Sequence, residues 1–220
     1  MIGYREYIEQ TQPITRRLFD SLGEYREMLR ETLSPVAVIR HTGEDDFHRK
    51  YQEWRQQPEI QEQFNHAEEA RIRLDGQFFS MHVASGSIIH IAYQAIKLYS
   101  AETQFPDEYA HLLEGVNHGI PTITRFAVGR DVWGIPLGLL IYAGRNQYNH
   151  MDDGENLKRI NLNIFNALAR YEHEEFGYLN PAFELNNEHL DTYSTNIMSA
   201  LDWDSYDAFL EDINRSLPDA

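Results

Sequence analysis

The sequence has 220 residues, a hydrophobic fraction of 42% and a formal net charge of −16, which together predict a folded chain with a strongly anionic surface. Because it contains no cysteine, disulfides, thiolate metal sites and cysteine nucleophiles are excluded. No apolar run approaches the roughly 20 residues that cross a bilayer, and the amino-terminus lacks the apolar core of a secretion signal. We therefore expect a cytoplasmic protein that has no membrane partner.

The anionic surface limits the partners that the chain can bind. At long range it repels a phosphate backbone, so a role in RNA binding requires a local basic site. On composition alone, the charge is more typical of a protein that stays in solution or docks to a basic protein partner.

The apolar pattern predicts an all-α bundle of about five principal helices in a single domain, residues 1–220. Apolar residues recur every three to four positions from Ile14 to Leu29, which places them on one face of a first long helix. Pro13 is expected near the start of this helix or at a break in it. Turn signals interrupt residues 33–63, which we interpret as an inserted segment.

The centre of the chain predicts the core helix of the bundle. Between residues 68 and 100, the apolar positions from Phe78 to Tyr99 keep the helical period over about six turns. We therefore expect one continuous helix here, despite the low helix propensity of Gly76 and Gly86.

A shorter helix is predicted after the core helix. Pro106 is tolerated in a first helical turn, so the helix is expected to run from there to about Leu113. Gly119 and Pro121 are predicted to end it, and residues 123–128 fit either a short helix or an extended piece.

Two further helices are predicted around residue 150. A buried helix begins at residues 137–143, and residues 152–155 resemble the cap of another. The apolar face of that second helix carries Leu157, Ile160, Ile164, Leu168 and Tyr171. The tail, residues 180–220, is predicted to form one or two short helices after Pro181, and we find no convincing alternating strands.

The junction of these two helices contains the residues best suited to chemistry: Arg145, followed by Asn146, Tyr148 and His150. A guanidinium group stays charged and donates to phosphate oxygens in a fork, whereas histidine gains or loses a proton near neutral pH. Together they suit phosphoryl transfer, with arginine stabilising the transition state and histidine acting as acid or base.

A structural interpretation of the same residues is favoured when only their spacing is considered. Arg145 can pair with a nearby acid, while Asn146, Asn149 and His150 cap helix ends. The acids within reach are Asp152, Asp153 and Glu155. On an unbroken helix, five residues turn Arg145 and His150 about 140° apart, so a shared site requires a helix break or a second subunit.

The stretch from Arg145 to His150 resembles the motif of the HEPN superfamily, in which arginine and histidine are separated by four to six residues. Asn146 directly follows the arginine, as a polar residue commonly does in that family, and an apolar helix lies on either side. This superfamily consists of helical proteins and includes ribonuclease toxins, phage-defence nucleases and CRISPR-associated nucleases. The resemblance implies a HEPN-like helical bundle.

The resemblance also implies an activity. A homodimer would place two copies of the motif across one cleft and cut single-stranded RNA by attack of its own 2′-hydroxyl, without a metal or cofactor. Arg145 and His150 would be catalytic, and Asn146 would orient one of them or the phosphate. A stress or phage-defence role, with an antitoxin or regulatory partner, follows from the same resemblance.

Two features depart from the family pattern. Members paired with a nucleotidyltransferase antitoxin usually carry a tyrosine two residues after the histidine, where this chain has Asp152, so that subtype is disfavoured. The acidity leaves few cations for an RNA path. The nearest in sequence are Arg125, Arg130, Lys158 and Arg159. Tyr148 is a candidate for stacking on an RNA base, with core packing as its alternative.

The ten histidines also raise the question of a metal site. Glu108 and His111 have the spacing of a helical ligand pair, but a di-metal bundle needs a second such pair, so we expect no metal. His90 and His82, within the apolar core helix, fit core, surface or cleft-facing positions. The alternative to a nuclease is a non-catalytic acidic helical dimer that serves as a protein- or RNA-binding scaffold.

Overall fold

The computed structural model describes residues 2–149, 157–171, 177–187 and 192–217, and it confirms the all-α class. The α-helices in these residues are α1 (Tyr4–Glu31), α2 (Glu44–Arg55), α3 (Pro58–Asp75), α4 (Phe78–Tyr99), α5 (Ile120–Thr124), α6 (Leu137–Asn149), α7 (Arg159–Arg170), α8 (Ser194–Ala200) and α9 (Tyr206–Ser216). A 3₁₀ helix covers Asp107–Leu113. In this part of the chain, no helix is both long and apolar enough to cross a membrane.

The contacts divide the chain into two compact units. The first consists of Met1–Asp20 and His82–Ala220, and the second is Ser21–Met81. The inserted segment predicted at residues 33–63 falls inside the second unit, which is wider than expected. The single domain predicted for residues 1–220 stays a prediction.

The second unit is held together partly by aromatic side chains. The Trp54 ring on α2 meets the Phe64 ring on α3 edge to face, with ring centroids 6.0 Å apart. None of the residues of α2 is buried. Its surface carries ion pairs instead, such as that between Arg49 and Glu53.

Helix α1 begins earlier than the sequence pattern predicts. It starts at Tyr4 and continues through Pro13, which was expected near its start or at a break. Pro13 and Glu9 are both exposed, so the Glu9 carbonyl that loses its helical partner is hydrated. The buried face also differs from the prediction, because Thr15 and Phe19 are buried whereas Ile14 is 51% exposed.

The core helix predicted between residues 68 and 100 is confirmed over its apolar positions, Phe78 to Tyr99, but it does not continue through Gly76. Helix α3 ends at Asp75 and α4 begins at Phe78. Gly76 lies at the break, where its low helix propensity favours an end. Gly86, in contrast, lies within α4, where it is required for packing against α6.

The segment between α4 and α6 also differs from the prediction. The helix expected up to Leu113 is a 3₁₀ helix. Gly119 and Pro121 do not end it but start α5, with Gly119 in the left-handed region at φ 78° and Pro121 in the first helical turn. The segment therefore provides a short connection from the core helix to the helix that carries Arg145.

A hairpin of two short strands, each two residues long, directly precedes α6. Strands β1 (Asp131–Val132) and β2 (Ile135–Pro136) pair in antiparallel fashion, although no strand was expected. The turn has positive φ at both Trp133 (55°) and Gly134 (77°), the pattern of a type I′ turn. The Trp133 ring stacks on Tyr171 at a centroid distance of 5.9 Å, which stabilises a conformation that is unfavourable for tryptophan.

The predicted helices that follow are confirmed. Helix α6 begins at Leu137, and α7 buries Ile160, Ile164 and Leu168 as its pattern indicated. The other two residues predicted on this face, Leu157 and Tyr171, lie outside α7 and are not buried. The cap predicted at residues 152–155 lies outside the described residues. Helices α8 and α9 are the short helices expected in the tail. Among the described residues, the largest fully buried side chains are those of Trp203, Phe126, Phe165, Phe183 and Phe209.

A buried carboxylate links the hairpin to the carboxyl-terminal helices. Asp212 on α9 accepts hydrogen bonds from Arg130 Nε at 3.0 Å and Nη2 at 3.1 Å, and from Trp203 Nε1 at 2.9 Å. Arg130 Nη2 also donates to the Leu201 carbonyl at 2.6 Å. Because Asp212 is only 7% exposed, these hydrogen bonds offset the cost of taking its carboxylate out of water.

Candidate active site

Arg145 lies near the end of α6, where its half-buried guanidinium group contacts neutral side chains. Its Cζ is 4.8 Å from the centroid of the Tyr93 ring on α4, and Nη1 donates to Asn146 Oδ1 at 3.3 Å. The Asn149 amide, oriented so that its oxygen faces the arginine, accepts from Nε at 3.2 Å and from Nη2 at 2.9 Å. These contacts fix the plane of the guanidinium group.

The hydrogen-bond inventory of Arg145 leaves donors for a ligand. A guanidinium group has five N–H donors, and the two amides use three of them in the described structure. The remaining two are one on Nη1 and one on Nη2. A guanidinium group with two such donors can bind two oxygens of a phosphate.

Helix α4 contributes a polar stripe beside Arg145. His90, Tyr93, Gln94 and Lys97 are spaced three to four residues apart, so they share one face of the helix. The Tyr93 ring is buried and is near both cations, with Lys97 Nζ at 5.9 Å from its centroid. The helix thus brings a second positive charge to the same ring that supports Arg145.

The environment of His90 favours its neutral form. Burial lowers the pKa of its imidazole below the usual value, and the positive charges of Arg145 and Lys97 lower it further. Gln94 Nε2 lies 3.2 Å from His90 Nε2. Since an amide nitrogen only donates, this contact requires an imidazole nitrogen without a proton, which agrees with the lowered pKa.

The cations of this region lack acidic partners in the described structure. No ion pair joins a described carboxylate to Arg145, Lys97 or Arg125 within 4.0 Å. Elsewhere, cations that do pair with carboxylates are Arg16, Arg30, Arg49, Lys50, Arg71, Arg73, Arg130 and Arg215. In a chain with net charge −16, these are positive charges that no carboxylate among the described residues neutralises.

Two consecutive amides fix α6 to its neighbours. Asn146 Nδ2 donates to Asn161 Oδ1 on α7 at 3.4 Å, while its own oxygen accepts from Arg145. Gln147 Oε1 accepts from Thr192 Oγ1 at 3.0 Å and from the Tyr193 backbone N–H at 3.1 Å. The arginine is therefore presented by a helix that is anchored on two sides.

Tyr148 packs against the glycine of the core helix. A Cβ added at Gly86 would lie 2.5 Å from the Tyr148 ring, so the two helices approach too closely there for any side chain. The ring is half-buried, and burial raises the pKa of its hydroxyl above the usual value. This placement favours the core-packing alternative over base stacking for Tyr148.

The substitution Gly86→Ala tests this close packing. It is expected to lower the free energy of unfolding by about 1 to 3 kcal/mol, because the methyl group displaces the Tyr148 ring. Chemical denaturation monitored by circular dichroism measures the change. Gly23→Ala is the matched control, since a Cβ added at this helical glycine would meet no atom of another element within 4 Å. Alanine there should raise the free energy of unfolding by up to about 1 kcal/mol. Equal effects of the two substitutions would contradict the packing argument.

The other predicted RNA-binding cations have different environments. Arg130 is engaged by Asp212 and the Leu201 carbonyl, so its donors serve the fold. Lys158 is the exposed residue that precedes α7, and Arg159 Nε donates to the Glu114 carbonyl at 3.4 Å. The contact between Asn146 and Asn161 places the start of α7 beside the end of α6. Lys158 and Arg159 therefore lie at the same end of this helix pair as Arg145.

No family model, curated protein or solved structure matches the chain. The resemblance to the HEPN superfamily therefore remains a prediction from the motif. Among the residues that the structure describes, no group of three histidine, aspartate or glutamate side chains could hold a metal ion.

Several residues of the predicted site lie outside the described part of the chain. His150 is one, and the acids proposed as alternative partners of Arg145 are the others: Asp152, Asp153 and Glu155. The roles predicted for them stay predictions. Of the predicted catalytic residues, the structure brings Arg145 and Asn146 into direct contact.

The sequence analysis did not place Gln94 and Lys97 in the site. They precede Arg145 by about 50 positions, and only the packing of α4 on α6 brings them beside it. One signal was available in the sequence, because polar residues at positions 90, 94 and 97 form a stripe along a helix that is otherwise apolar.

Proposed function

We propose that the chain is a metal-independent endoribonuclease of HEPN type that cleaves single-stranded RNA in stress or phage defence. The observation that supports this proposal most strongly is the guanidinium group of Arg145. Amide and aromatic contacts fix it, no described carboxylate neutralises it, and it keeps two adjacent donors for a phosphate.

The proposed reaction is an internal transesterification. The 2′-hydroxyl of one ribose attacks the adjacent phosphorus, the bond from phosphorus to the 5′-oxygen breaks, and the products carry a 2′,3′-cyclic phosphate and a 5′-hydroxyl. Arg145 stabilises the negative charge that builds up on the phosphate oxygens in the transition state. A guanidinium group stays protonated in proteins, so a different residue has to act as the base.

Proton transfer in this proposal belongs to His150. One imidazole takes the proton of the 2′-hydroxyl, and an imidazolium returns a proton to the departing 5′-oxygen. A homodimer supplies two histidines and two arginines, because the two-fold axis of such an assembly duplicates every group at its interface. Asn146 serves as a positioning residue, since it contacts Arg145 and also Asn161 behind it.

The decisive experiment incubates the purified protein with single-stranded RNA in excess EDTA and identifies the product ends. We expect cleavage that resists chelation, with 2′,3′-cyclic phosphate ends. A substrate with a single 2′-deoxy position should resist cleavage at that position alone, because the attacking hydroxyl is missing there. An Arg145→Lys protein purified in parallel controls for contaminating nucleases.

Other outcomes of this experiment would count against the proposal. Cleavage that requires a divalent cation, or that yields 3′-hydroxyl ends, would exclude the proposed mechanism. If RNA is bound but never cut, the non-catalytic helical dimer becomes the better description of the protein.

A further inference from the structure

The positive region of the site extends beyond Arg145 to Lys97. Arg145 Cζ lies 4.8 Å and Lys97 Nζ 5.9 Å from the centroid of the same Tyr93 ring, so the two cations are within about 11 Å of each other. This separation is close to the Debye length at physiological ionic strength, which is about 8 Å. Both charges therefore act on any polyanion that binds to one of them.

A third cation supports the end of α4. Arg125 Nη1 donates to the Lys97 carbonyl at 3.2 Å, which satisfies one of the carbonyls in the last turn of the helix. The side chains of Lys97 and Arg125 are both exposed, and neither forms an ion pair with a described carboxylate. Like charges held together in this way repel one another, and an anion bound between them would relieve that repulsion.

The chemistry of the surface favours phosphates over bases. Tyr93, the ring beneath the two cations, is only 6% exposed and offers no face on which a base could stack. Gln94 already donates to His90, so it is not available to read a base edge through that contact. The charged groups on this surface are the exposed ammonium group of Lys97 and the half-buried guanidinium group of Arg145.

We propose that Lys97 and Arg145 bind neighbouring phosphates of one single-stranded RNA, with Arg145 on the scissile phosphate and Lys97 on a flanking one. The assignment of the scissile phosphate rests on the proposed function, whereas the Lys97 subsite rests on the geometry of α4 and α6. Binding through two backbone phosphates is sensitive to salt and nearly indifferent to base identity.

The test measures binding of 2′-O-methyl RNA, which has no free 2′-hydroxyl and so cannot be cleaved by the proposed reaction. Affinities of the wild type, Lys97→Gln and Lys97→Arg are determined over a series of potassium chloride concentrations. Arg215→Gln is the charge-matched control, because Arg215 is an exposed residue paired with Glu211 on α9.

We expect Lys97→Gln to weaken binding by about threefold or more and to reduce the slope of log affinity against log salt by about 0.7, the contribution of one phosphate contact in a single strand. Lys97→Arg should retain both affinity and slope, which a role limited to packing would not predict. The proposal is overturned if the wild type does not bind, or if Lys97→Gln behaves like Arg215→Gln.

Cleavage assays on the same variants separate this inference from the proposed function. Binding that depends on Lys97, together with RNA that is never cut, would retain the phosphate subsite and reject the nuclease. RNA that is cut, together with binding indifferent to Lys97, would retain the nuclease and reject the subsite.

Discussion

Replacing Arg145 with lysine is expected to reduce RNA cleavage by at least about 100-fold while the protein stays folded. Lysine keeps the positive charge, so attraction of RNA to the site changes little. It lacks the planar fork, however, and cannot present two fixed donors to a phosphate while other donors bind Asn146 and Asn149. The loss should therefore fall on kcat rather than on KM.

The measurement is a single-turnover cleavage assay, with the melting temperature of each variant as a test of folding. Arg215→Lys provides the control, since its exposed ion pair with Glu211 lies on a different helix and is not part of the site. A variant Arg145→Lys that keeps more than half of the wild-type rate would show that the fork has no catalytic role.

Replacing Asp212 with alanine is expected to lower the free energy of unfolding by about 3 kcal/mol or more. The side chain is 7% exposed and accepts hydrogen bonds from Arg130 and Trp203. Its removal leaves the indole N–H of Trp203, which is fully buried, without this acceptor and leaves the Arg130 charge uncompensated. Asp212→Asn should lower the free energy of unfolding by a smaller amount, because the amide oxygen can still accept a hydrogen bond from Trp203.

Urea denaturation followed by circular dichroism measures this loss. Asp207→Ala is the matched control because Asp207 also lies on α9, but it is 82% exposed and its contact with Arg16 is 3.4 Å long. We expect that control to change the stability by less than about 1 kcal/mol. If the two substitutions lower the free energy of unfolding by the same amount, the buried network does not stabilise the fold as argued.

Local sequence patterns predicted the elements around the site well. The apolar runs that start at Leu137 and Ile160 each produced a helix where one was expected, because burial of an apolar face decides those segments. The pattern failed at Pro13 and Gly76. Whether a helix continues through a proline or a glycine depends on the exposure of the backbone and on the packing of the helix against its neighbours. Neither can be predicted from the local sequence.

The candidate site was predictable only in the part that is contiguous in sequence. The contact between Arg145 and Asn146 lies within a single helical turn, so a motif could indicate it. Arg130 shows the limit of such reasoning. It is near the motif in the chain, yet its acid partner is Asp212, 82 positions away, and that tertiary contact assigns it to the fold. Lys97 joins the site for the same reason, through helix packing.

The pair of anchoring amides on α6 makes the position of Arg145 depend on distant parts of the chain. Gln147 is two residues from the arginine and is bound by residues 192 and 193, which directly precede α8. A ligand that pulls on this segment would strain α6 close to its guanidinium group. The two hydrogen bonds to Gln147 therefore couple the start of α8 to the end of α6, so a displacement of the one segment would be felt by the other.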